Sequence, residues 1–128
     1  MAVTFLSERL HGSDRDVKTD KVTATWTSDA SGAASGTINL QGFLLKVITD
    51  PGSPAPTDNY DITLVADGID MADGLLLNRD TANVEMVYPV GTTTAACTPI
   101  FLSGDHTFTI AAAGSVTAGV CYMYLRQR

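Results

Sequence analysis

Apolar and polar residues alternate with a period of two along much of this chain, and clusters of Pro, Gly, Asn and Asp interrupt the alternation at short intervals. Residues 21–27 (KVTATWT) set Val22, Ala24 and Trp26 on one parity and Thr23, Thr25 and Thr27 on the other. That pattern predicts a half-buried strand with the single Trp facing a core. Residues 60–65 (YDITLV) set Tyr60, Ile62 and Leu64 against Asp61 and Thr63. Residues 83–90 (NVEMVYPV) alternate Val84, Met86, Tyr88 and Val90 against Glu85, and residues 106–111 (HTFTIA) alternate Phe108 and Ile110 with Thr107 and Thr109. The longest strand candidate is 37–49 (TINLQGFLLKVIT), where Gly42 predicts a bulge or a bend that lets one strand serve two sheets. Residues 116–126 (VTAGVCYMYLR) are apolar on both parities, which fits a central strand or a strand at an oligomer interface.

The interruptions read as turns. The prolines of 50–58 (DPGSPAPTD) lack a donor, so this stretch is expected to be a stiff, exposed connection. Asp67-Gly68 and Asp73-Gly74 are strong turn dipeptides. Residues 28–36 (SDASGAASG) read as a small-residue loop, residues 75–77 as a short buried piece, and residues 99–102 as a short apolar segment. Residues 3–10 (VTFLSERL) fit a short helical turn, an extended arm or an ordinary first strand, broken by His11-Gly12-Ser13-Asp14. No segment has a convincing helical period, and no alternation of strands with helices suggests a parallel sheet. The expected fold is all-β: an antiparallel β-sandwich or jelly-roll-like barrel with little or no helix. Residues 1–20 form an N-terminal arm or first strand, and residues 21–128 form a single β-sandwich domain.

With 128 residues the chain can bury roughly two thirds of its unfolded surface, so one core suffices without metal or disulfide help. Charge changes the picture more than size does. The net charge is −6, yet residues 1–26 are balanced: Glu8, Asp14, Asp16 and Asp20 against Arg9, Arg15, Lys18 and Lys21. Between 27 and 125, ten acids face only Lys46 and Arg79, and Arg126 and Arg128 close the chain. A body this acidic disfavours direct nucleic-acid binding, which needs clustered Lys and Arg. No apolar stretch approaches the ~20 residues that span a bilayer as a helix. The N-terminus is too polar for a secretory signal, so synthesis in a cytoplasm is expected. In that compartment Cys97 and Cys121 are expected to be free, buried thiols rather than a disulfide.

Candidate chemistry is sparse. His11 and His106 have no His, Cys or carboxylate at zinc-ligand spacing, and His106 is read as a structural residue at a strand end. Nucleophile elbows and phosphate-cradling glycine loops are absent from the sequence. Asp67, Asp70 and Asp73 recur every third residue, which matches no calcium loop and fits Asp side chains bonding nearby turn amides. Trp26, Tyr60, Tyr88, Tyr122 and Tyr124 are the aromatics that a sugar platform would need, but they suit a core or a subunit contact better. These features predict no enzyme activity, no cofactor and no metal.

The block GFLLKVITDPGSPAPTDNYDITLVADGIDMADGLLLNRDTANVE and the final alternating segment ending in Tyr-Leu-Arg carry a family resemblance. They resemble small structural proteins of tailed-phage virions, over about residues 36–90 and 104–126. The resemblance implies a non-enzymatic virion component, made in the host cytoplasm, that binds the major capsid protein or another virion part. A capsid decoration (cement) protein is the first expectation and a tail, neck or fibre module the second; a carbohydrate-binding sandwich is the expectation from a different class. A homo-oligomer is expected as well. The interface candidates are Val3, Phe5, Leu6 and Leu10 on the N-terminal segment, Tyr122 and Tyr124 on one face of the last strand, and Arg126 at its end.

Overall fold

The computed structural model describes residues 2–10, 18–89 and 98–127. His11, the charges at positions 14–16, Val90 and Cys97, all singled out above, lie outside the described residues. Among the described residues eight strands follow one another: β1 (Ala2–Leu10), β2 (Thr19–Thr27), β3 (Ala34–Pro51), β4 (Asp61–Ala66), β5 (Ile69–Asp70), β6 (Glu85–Val87), β7 (Ile100–Ala111) and β8 (Ala118–Arg126). The described residues contain no helix. All pairings are antiparallel, in the order β1-β2-β8-β3-β7-β4-β5, with β6 also on β3. The fold is all-β and sandwich-like.

Strand β3 makes the sandwich. Its first part, Ala34 to Leu44, pairs with β7, and its second part, Phe43 to Pro51, pairs with β8. The change of partner occurs at Gly42, whose φ of +119° is open only to glycine, and at a register shift between Leu44 and Lys46. A Cβ on Gly42 would lie 2.7 Å from the Arg126 carbonyl oxygen. The bend folds the β1-β2-β8 side over the β7-β4 side. Trp26 of β2 meets Tyr60 at the start of β4 with ring centroids 5.6 Å apart, and Phe5 of β1 meets Phe108 of β7 edge-on at 5.9 Å. Between them Val22, Leu44, Val47, Ile62, Leu64, Ile110, Met123 and Leu125 are all buried. Strand β1 belongs to this core, because Val3 and Phe5 pack against it and close on Gly36.

The observed elements correct several expectations. Strand β3 is 18 residues long, longer at both ends than the 37–49 segment. Ala34-Ser35-Gly36, read as loop, pairs with Phe108-Thr109-Ile110, since small residues fit a strand whose partner supplies the bulk. Pro51 belongs to the β3–β8 ladder at its last position, opposite Gly119. The 99–102 and 106–111 segments join in one strand, β7, because Ser103-Gly104-Asp105 stays in the ladder opposite Leu40 and its neighbours. His106 is therefore internal to β7 and buried, not at a strand end, and its Nδ1–H donates to the Gly104 carbonyl at 2.9 Å. Leu75 to Leu77 lie in turns, with only Leu76 fully buried.

Turn chemistry follows the sequence more closely. Asp67 (φ 53°) and Gly68 (φ 76°) form the two-residue link between β4 and β5 that an Asp-Gly hairpin favours. The Asp70 carboxylate accepts hydrogen bonds from the backbone N–H groups of Leu64, Ala72 and Gly74, so it organises the turns around it.

Two buried acids give the core a pH signature. Burial pushes the Cys121 thiol from its ordinary 9.0 up to about 12, and burial first of all pushes the Tyr60 phenol from 10.0 up to about 12. Both are neutral when folded and ionise sooner when unfolded. The folded chain thus holds more protons between pH 9 and 12, and stability falls as pH rises through that window. Urea midpoints are expected to decline across it, and less steeply in Tyr60→Phe. A midpoint that stays constant there would contradict the buried placement.

Candidate interaction surface

The outward face of β1-β2-β8-β3-β6 is built by register. Leu6 lies opposite Thr23, Thr23 opposite Tyr122, Tyr122 opposite Ile48, and Ile48 opposite Met86. In antiparallel pairing, opposed residues share a face, so these five form one row across five strands. The inner parity of β8, Cys121, Met123 and Leu125, is buried. Row members therefore point away from the core. Leu6 is 58% exposed and Met86 52%, while Thr23, Tyr122 and Ile48 are half-buried.

The next rows complete the surface. Glu8, Lys21, Tyr124 and Lys46 follow on one side. Beyond them come Leu10, Thr19, Arg126 and Phe43, the last meeting the exposed Phe101 at a tilt, with ring centroids 5.3 Å apart. On the other side run Thr4, Thr25, Val120 and Asp50. Lys21 Nζ sits 4.7 Å from the Tyr122 ring centroid, and Lys46 Nζ 4.7 Å from that of Tyr124. Each contact holds a cation on a ring face, worth about 0.5–1 kcal/mol at an exposed site. Lys21, Lys46 and Arg126 outnumber Glu8 and Asp50 here, so the face is locally basic on a chain of net charge −6.

The structure thus brings Leu6, Leu10, Tyr122, Tyr124 and Arg126 onto one face. It turns Val3 and Phe5 inward, opposite Trp26 and Ala24. Sequence reading did not find Ile48, Met86, Lys21 or Lys46 for this face. Alternation did place Met86 and Tyr88 on one parity, but parity alone cannot say which side is covered; both are exposed, and the Tyr88 hydroxyl donates to Met86 Sδ at 2.8 Å. Trp26 and Tyr60 are buried and cannot serve a sugar platform.

Other places offer less. A cleft of about 280 Å³ opens beside the β3 bend, with Leu40 and Leu125 as its floor and Asp20, Gln41 and Gln127 on its rim. Its rim groups engage one another: Gln127 donates to Asp20 at 3.1 Å, Gln41 to Asn39 at 3.1 Å, and Arg9 pairs with Asp20. Among the described residues no three His, Cys, Asp or Glu side chains gather as a metal site, and no helix is long and apolar enough to cross a membrane. Comparison with protein-family models, with curated proteins and with solved structures finds no match.

Proposed function

We propose that this chain is a non-enzymatic structural protein of a tailed-phage virion, a capsid decoration protein that binds and stabilises the major capsid protein lattice. The observation that carries this reading is the outward-facing row Leu6, Tyr122, Ile48 and Met86, exposed at its two ends and half-buried between them, on a sheet whose other face is buried. The resemblance of residues 36–90 and 104–126 to small virion proteins supplies the context, and those residues include most of β3 and β7 and all of β4, β5, β6 and β8. The row fits a partner surface that is apolar with acidic groups at the edge, facing Lys21, Lys46 and Arg126. Binding would stabilise the closed lattice by mass action, and several copies acting together would gain avidity.

The test is to count copies per purified particle and to add the chain to capsids that lack it. A simple ratio to the major capsid protein and a raised capsid melting temperature are expected. Met86→Glu is expected to weaken capsid binding by about tenfold or more while changing the isolated domain's stability by about 0.5 kcal/mol or less, because Met86 is already exposed. A few dozen copies per particle would move the chain to the tail, neck or fibres. Absence from the particle, or capsid binding untouched by both Met86→Glu and Tyr122→Ala, would overturn the proposal.

A further inference from the structure

We infer that β1 is a pairing edge for a second copy of this chain, and that two copies join antiparallel about a two-fold axis at Leu6. This goes beyond the virion reading and does not depend on it.

The first ground is the state of the edge. Strand β1 ends the strand order, and among the described residues only β2 pairs with it. It runs nine residues without Pro, Gly or a register shift. Open edges are usually blunted by shortness, proline, bulges or unpaired charges. The opposite end of the order follows that rule, since β5 has two residues, and β6 on the other flank of β3 has three. Strand β1 does not. Its one cation, Arg9, is already paired with Asp20 and leaves no free charge to guard the edge on that parity.

The second ground is self-complementarity. A two-fold axis normal to the sheet keeps each copy's outer parity outward, so only residues of like parity can oppose each other. Of the registers allowed, the one centred on Leu6 pairs all nine residues of β1. It sets Leu6 against Leu6 of the second copy, Glu8 against Thr4, Arg9 against Val3, Ser7 against Phe5 and Leu10 against Ala2. No like charges meet. Centring on Glu8 or Arg9 would oppose like charges and forfeit pairs. Long-range charge is also permissive, because residues 1–26 carry four acids and four bases while the acidic surplus lies between 27 and 125.

The pairing has a consequence for the outer face. The row from Met86 through Ile48, Tyr122 and Thr23 to Leu6 would run on into its mate without a break. Five strands from each copy make ten, a span of about 43 Å at the usual strand spacing. Leu6, exposed at the rim of one copy, becomes the centre of a symmetric apolar stripe.

Sedimentation equilibrium of the full chain tests this with a charge swap at the axis. The wild type is expected to show a concentration-dependent monomer–dimer equilibrium. Leu6→Lys alone and Leu6→Glu alone each oppose like charges at the axis and should raise the dimer dissociation constant by about tenfold or more. An equimolar mixture of the two variants should recover the dimer as a mixed species. Because Leu6 is exposed, both variants should fold, and the emission of buried Trp26 verifies that they do. A wild type that stays monomeric at every concentration, an odd-numbered oligomer, or a dimer indifferent to Leu6→Lys would overturn the inference. Failure of the mixture to re-dimerise would do so as well.

Discussion

Trp26→Ala is expected to destabilise the domain by about 3–5 kcal/mol, the largest effect of any single truncation in this core. The indole is 1% exposed, lies against Tyr60 and bridges the two halves of the sandwich. Its direct cross-strand neighbour is Gly119 of β8. A Cβ built on Gly119 would come 2.5 Å from one indole carbon and 2.8 Å from another. Gly119 is therefore small because Trp26 is large. Gly119→Ala alone should cost about 1–3 kcal/mol through overpacking. In the Trp26→Ala background it should cost nearly nothing, because the space is then open. Urea denaturation of the two single variants and the double variant measures the coupling, expected at about 1 kcal/mol or more. Simple additivity would show that the indole does not press on Gly119.

The second large effect is at the bend of β3. Gly42→Val asks a branched L-residue to hold φ near +119° and puts its Cβ 2.7 Å from the Arg126 carbonyl. Strain and overpacking together are expected to cost about 2–5 kcal/mol. Position matters as much as magnitude. Gly42 lies where β3 passes from β7 to β8, so relief of the strain must shift one ladder against the other. Loss of amide protection is expected to centre on Gln41 to Lys46 and the end of β8 at Leu125 and Arg126, whose pairing the bend sets. Gly68→Val is the matched control. Gly68 also has a positive φ, but a Cβ there meets nothing within 4 Å. Its cost should be smaller and confined to the β4–β5 hairpin. Equal and equally local effects at the two glycines would mean that Gly42 is only another turn residue.

These two sites differ in how much of them the sequence exposes. Trp26 on an apolar parity of KVTATWT points inward by alternation alone, and it is buried as expected. Gly119 shows no sign of its role, because the constraint comes from a residue 93 positions away that only the register between β2 and β8 brings opposite it. Gly42 signals a bend inside an apolar run, and the chain does change partners there. The extent of β3 was not legible, because Ala34-Ser35-Gly36 has no apolar period of its own and becomes strand only against β7. The interaction surface divides similarly. Leu6, Leu10, Tyr122, Tyr124 and Arg126 stand out by residue type, whereas Ile48 and Met86 join them only when β6 and β8 settle on opposite edges of β3.

By itself the sequence determined what is local: the period-two alternation that makes strands, the parity that buries Trp26, Tyr60, Ile62 and Leu64, and the Asp-Gly link between β4 and β5. Local rules suffice there because side-chain direction in a strand and positive φ in a tight turn are set within a few residues. Tertiary structure alone decided which parity of β6 meets solvent, that Val3 and Phe5 turn inward while Leu6 and Leu10 turn out, and that five strands align one outward-facing row. Those outcomes depend on pairings between residues far apart in the chain, and a period of two is the same read from either face of the sheet.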